Sequence, residues 1–276
     1  MTAPTPYQQP GAAYASPIPV RRAHLGDALA SEWTKIRSVR STMWTLGVMI
    51  VLMLGVGSGI AAIVAAVGES PVEQQPALGL GFFGVLLGSV CVITLGVLTI
   101  ASEYSTGMIR TTLTACPSRA RVLTAKAIVF FLLVFAVTTL TATLVAVIQS
   151  AVVDAPRASA GEWLRSTLGI GLFLALLGLL ALAVGAIIRH SAGAITIMIG
   201  LMLLPLVAAM FMFSNSLVKL QEALLTYSIP SLIVALYNEG AVEGNGPSGW
   251  EPLLIMLGVT AVAMGGAYLT LDKRDV

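Results

Sequence analysis

Charge is what this chain has least of. Only 10% of its 276 residues are Asp, Glu, Lys or Arg, where a soluble domain carries about 25%. So little polar surface would not keep a folded domain in water, and a soluble globular protein is excluded. Histidine is nearly absent: His24 and His190 stand alone. Both read as solvated loop residues, with no neighbour at metal-ligand spacing. Cysteine is as sparse, with Cys91 in an apolar run and Cys116 in a polar loop, which is no disulfide framework. A formal charge of +2 is too small to suggest nucleic acid as a partner. The chain has no G-x-x-x-x-G-K-[ST] phosphate loop, no H-E-x-x-H and no G-x-S-x-G. It is therefore not expected to bind ATP by that route or to act as an enzyme on its own, and no metal or cofactor is expected on it.

What the chain has instead is apolar length. Hydrophobic residues make up 57%, and a bilayer core is crossed by runs of about 20 apolar residues. Six runs without a charged residue fall at 44–67, 78–101, 127–148, 166–188, 192–213 and 253–271. Continuous blocks such as "LFLALLGLLALAVGAII" do not alternate as transmembrane β-strands do, so the spans are helices. The expectation is an all-α integral membrane protein with six transmembrane helices. No charge lies inside any of these runs as drawn. Ion-coupled carriers usually need an intramembrane carboxylate or histidine, which places a carrier or channel well behind other readings.

The first 22 residues, "MTAPTPYQQPGAAYASPIPVRR", hold no apolar stretch and lack the basic n-region and h-region of a secretory signal. They read as a disordered tail, followed by a six-helix domain over 23–276. Within 23–43, Leu25, Leu29, Trp33, Ile36, Val39 or Arg40, and Met43 recur at three- and four-residue steps. Lys35, Arg37 and Arg40 lie mostly off that stripe. The pattern predicts an amphipathic helix whose basic side suits anionic headgroups; a helix packed on a soluble domain is the alternative.

Loop charges orient the chain. With the N-terminus inside, inner segments hold twelve Lys or Arg and outer segments three, Arg157, Arg165 and Lys219. Eight acids, among them Glu69, Glu73 and Glu162, fall outside. Both termini and the loop 102–126 are thus expected in the cytoplasm. In that loop Ser105 or Thr106 is expected to cap a short helix through "GMIRTTLT", and Pro117 to stop it at Cys116. Ser118 is expected to cap the next helix. The loop reads either as an ordinary positive-inside loop or as a docking helix that takes force from a soluble partner. Glu103 would anchor it, through its early N–H groups or a cation such as Arg110.

Inside the spans, Gly55-x-x-x-Gly59 and Gly84-x-x-x-Gly88 are helix-packing candidates. The hydroxyls of Thr138, Thr139, Thr141 and Thr143 would bond across helices or back to their own turn. Pro205 should kink the fifth span or free a carbonyl.

Three segments carry a resemblance. "SEWTKIRSVRSTMWTL" before the first span, "EYSTGMIRTTLTACPSRARVLTAKA" after the second, and "IIRHSAGAI" between the fourth and fifth resemble the type-2 ABC exporter permease family, in its short six-span actinobacterial form. The resemblance spans roughly 25–275 and implies a permease subunit that forms the substrate path of an ATP-driven exporter. Two separate ATPase subunits would carry ATP and Mg, and a second permease chain, identical or not, would complete the path between parts of spans two and five. It further implies a plasma-membrane location and an interfacial helix that includes Trp33, Lys35, Arg37 and Arg40. The coupling helix would begin at Glu103 and Tyr104, with Gly107 at the family's glycine and Arg110 beyond. It also implies short helices dipping into the outer leaflet over 214–249, where "SNSLVKLQEALLTYSIPSLIVALYNEG" is broken at Pro230. The alternative is a non-transporting scaffold or assembly protein that recruits a cytoplasmic partner through 102–126.

Overall fold

The computed structural model describes residues 24–67, 76–116, 118–238 and 246–273. The Pro-rich tail, Pro117, Glu69, Glu73 and part of the 214–249 segment lie outside the described residues. Among the described residues there is no strand, and six helices are long and apolar enough to cross a membrane. The chain is an all-α, multi-pass membrane protein.

Helix α1 runs Leu25–Ser38. Its start is held by Asp27, whose carboxylate accepts the His24 backbone N–H at 2.9 Å. The apolar stripe predicted through 43 does not stay in one helix. Val39 is extended and closes α1, and α2 begins afresh at Arg40, spanning Arg40–Val67. A short 3-10 turn, Ala77–Gly81, then leads into α3, Phe82–Ser105. Next come α4, Met108–Ala115, and α5, Arg119–Val152. The fourth crossing is compound: α6 (Ala160–Leu164), one π turn at Arg165–Gly169, and α7 (Ile170–Ile188). Helix α8, Ser191–Met210, carries Pro205. Helices α9 (Val218–Thr226) and α10 (Ile229–Tyr237) meet at a 61° bend. Pro230 is not the break itself. It sits in the first turn of α10, where its missing N–H costs nothing. Helix α11, Glu251–Lys273, is last.

The core is built around α7. Its most apolar window is 78% buried, against 56% for the crossing that contains α3 and only 22% and 17% for α2 and α11. Glycine sets the close approaches. A Cβ on Gly96 would collide with the carbonyl oxygen of Gly178, so α3 and α7 touch backbone to backbone there. Between α2 and α3, a Cβ on Gly84 would sit 2.8 Å from the Met53 carbonyl oxygen. Gly84 and Gly88 therefore pack as expected of small residues in membranes. Gly55 and Gly59 do not: a Cβ on either would meet nothing within 4 Å in this chain. The α2 glycine at the contact is Gly57, against Val145 of α5. The threonines of α5 divide likewise. Thr138, Thr141 and Thr143 donate back to carbonyls one turn earlier, whereas Thr139 packs its side chain onto Gly171.

Candidate functional site: a buried ionic junction

One end of the bundle holds the densest polar chemistry. Glu32 of α1, Glu103 at the end of α3 and Lys126 near the start of α5 are 3%, 5% and 1% exposed. Such burial is rare for ionisable side chains unless they are paired. Here they are: Lys126 Nζ lies 2.6 Å from Glu32 Oε2 and 2.8 Å from Glu103 Oε1. Lys35, less deeply placed on α1, lies 2.8 Å from Glu32 Oε1 and 3.0 Å from the same Glu103 oxygen. Two carboxylates and two ammonium groups thus alternate with no net charge, so each buried charge has a counter-charge within hydrogen-bond reach.

Lys35 also reaches α4. Its ammonium donates to Thr112 Oγ1 at 3.2 Å, and that hydroxyl donates back to the Met108 carbonyl at 3.1 Å. Burial alone would pull Lys35 below its ordinary pKa, but the hydrogen bonds and charges of Glu32 and Glu103 outweigh it and hold the ammonium above that value. Four helices, α1, α3, α4 and α5, are therefore tied at one point.

The turn feeding α4 differs from the expectation. Neither Ser105 nor Thr106 caps it; both hydroxyls donate to the Ser102 carbonyl instead. The N-cap is Gly107, left-handed at φ 73°, a conformation that glycine adopts without penalty. Ile109 is the buried anchor of α4, while Met108 and Arg110 face outward. Arg110 is not the partner of Glu103. That place belongs to Lys126 and Lys35. Ser118 caps α5 by accepting the Arg121 N–H. Across from α4, a groove of about 320 Å³ separates it from α1, with Asp27 and Ser31 on one wall and Thr111 and Cys116 on the other.

Tyr104 follows Glu103 but points to a different partner. The guanidinium of Arg189 lies 4.9 Å from its ring centroid, a cation–π distance. Arg189 ends α7 in a left-handed conformation, φ 59°. His190 is not an idle loop residue: its Nδ1 accepts the Gly193 N–H at 3.1 Å and caps α8. Helix α11 is fastened to the same end, by Arg119 donating to the Leu271 carbonyl at 2.6 Å and by Thr124 and Tyr268 at 2.7 Å.

Of the residues predicted for α1, Trp33, Arg37 and Arg40 are exposed and Lys35 is drawn into the junction. The helix buries Glu32 and Ile36 rather than its tryptophan. Sequence reasoning missed Glu32 and took Lys126 for a loop cation. The available signals were the Glu32/Lys35 spacing of three residues and a single lysine amid "TAKAIVF". No group of three His, Cys, Asp or Glu that could hold a metal occurs among the described residues.

Six apolar crossings, with a buried ionic junction that ties the N-terminal helix to two of them, define a multi-pass membrane protein. A family model described as ABC-2 family transporter protein matches residues 28–204, well over half of the chain. The chain belongs to the ABC-2 transporter family and is a membrane permease component of an ABC system. No curated protein matches it.

Proposed function

We propose that this chain is the permease subunit of an ATP-driven exporter and that a separate ATPase, carrying ATP and Mg, moves it by pressing on α4. The observation that carries the reading is the contact chain from Thr112 on α4, through Lys35, to Glu103 and Lys126. A displacement of α4 cannot be absorbed by a floppy loop. It pulls on the Lys35–Thr112 hydrogen bond and, through Lys35, on the buried ion pairs that hold α3 and α5, which are costly to break. The groove between α1 and α4 offers the ATPase a recess beside the helix it pushes. Both termini and α4 then face the cytoplasm, as the twelve-to-three division of Lys and Arg favours. The cell membrane is the expected location. A second permease chain completes the path, since one six-helix chain packed around α7 leaves α2 and α8 mostly uncovered.

The test is a tagged full-length chain co-expressed with the ATPase and reconstituted in liposomes. Glu103→Gln keeps size and removes one charge from the junction, at a cost of about 1.5–3 kcal/mol to the contact. The ATPase should still co-purify, while transport and transport-linked ATP hydrolysis fall at least about fivefold relative to Glu222→Gln, an exposed carboxylate on α9 whose loss should be near neutral. Equal activity of the two variants refutes the coupling role. Co-purification of a partner with no transport by the unmodified protein would favour a scaffold.

A further inference from the structure

A second feature of α1 faces away from the junction. A groove of about 340 Å³ runs between α1, α2 and α5, with Trp33 and Arg37 at one end and Gly47, Ile50, Leu133 and Val137 along its length. Its walls are apolar except at one place: Arg37 is the one ionisable side chain lining it. Gly47 leaves the floor open, because a Cβ there would meet nothing within 4 Å. Helix α2 is only 22% buried in its most apolar window, so this side of the bundle faces outward. The Arg37 guanidinium sits 6.0 Å from the Trp33 ring centroid, at the outer limit of a cation–π contact, and tryptophan is a residue favoured at membrane–water interfaces. Among the described residues no carboxylate is within ion-pair distance of Arg37. Arg40, the first residue of α2, is a second exposed cation three residues on, beyond the extended Val39.

We infer that this groove is a binding site for an anionic phospholipid, its phosphate on Arg37 and the upper part of one acyl chain lying along α2 and α5 over Gly47. A free anion is a poor fit, because beyond Arg37 the walls offer no charge to hold it. The shape suits a chain: the seven residue steps of α2 from Met43 to Ile50 rise about 10 Å. The site sits on α1, the element that also supplies Glu32 and Lys35, so bound lipid would brace the helix that carries half of the ionic junction. The inference does not depend on the coupling role proposed above.

The experiment reconstitutes the full chain in nanodiscs with phosphatidylglycerol or phosphatidylcholine carrying a photoreactive group in the upper acyl chain, and maps the labelled peptides. The phosphatidylglycerol probe should label the 43–50 and 133–137 segments about fivefold more than the phosphatidylcholine probe, as one basic residue at an anionic surface supplies. Arg37→Gln should abolish that preference and Arg37→Lys should largely keep it. Gly47→Leu, which fills open space with a better helix former, should cut groove labelling by both probes. Labelling of exposed Leu254 and Val262 on α11 should not change in any variant. Equal labelling by the two probes, groove labelling no stronger than that of α11, or an unaltered pattern in Gly47→Leu would each overturn the assignment.

Discussion

Replacing Lys126 by methionine removes an ammonium group from a site that is 1% exposed while keeping most of the side-chain length. Two carboxylates, at 2.6 and 2.8 Å, lose their shared partner. They retain Lys35, at 2.8 and 3.0 Å, so the junction goes from neutral to one net negative charge. Breaking a buried pair from one side costs about 3–5 kcal/mol, and the remaining lysine puts this case at the lower end, about 3 kcal/mol. A chain of this size should lose roughly 2–4 °C of melting temperature per kcal/mol, hence roughly 6–12 °C by size-exclusion thermostability in detergent. The informative variant is the double one. Glu103→Gln alone leaves one net positive charge, and combining it with Lys126→Met restores neutrality with Glu32 paired to Lys35. The two changes share atoms, so their effects should fall short of the sum by about 1–3 kcal/mol. Strict additivity would mean that Lys126 and Glu103 are near each other without acting on each other, and the junction would lose its standing as one unit.

Three other outcomes follow from the geometry. Gly96→Leu drives a side chain into the Gly178 carbonyl and should abolish monodisperse protein, whereas Gly55→Leu, with open space around it, should be tolerated; equal behaviour in size-exclusion profiles would refute the α3–α7 contact. The pairing of Lys35 raises its folded-state pKa, so its contribution to docking α1 is complete below the unfolded value of about 10.4 and is lost as pH rises through the higher folded value. In a protein whose sole tryptophan is Trp33, emission should hold steady to about pH 10 and shift only above it, and Lys35→Met should show no such step. Ser118→Cys in a background free of Cys91 and Cys116 should resist an impermeant thiol reagent in intact cells and react after lysis; labelling from outside would invert the topology.

Hydropathy alone determined the class of this protein and the number of its crossings. A bilayer imposes a length and an apolar character on each span, and both are local properties of about 20 consecutive residues. The place of Glu103 was legible for the same reason, because a carboxylate just beyond a span is visible in one dimension. Its partners were not. Lys126 is 23 residues further along and Glu32 lies two crossings earlier in the chain, and no periodicity links positions that meet only through packing. Exposed Arg110 looked the nearer cation, since sequence distance favours residues on the same loop. Tertiary structure also decided where the first apolar stripe divides: the extended Val39 frees α1 to turn Glu32 inward while α2 starts its own course. Glycine makes the same distinction within the membrane. The four-residue spacing of Gly55 and Gly59 equals that of Gly84 and Gly88, yet only the second pair meets a neighbouring helix, because spacing sets which residues share a face and packing sets which face is covered.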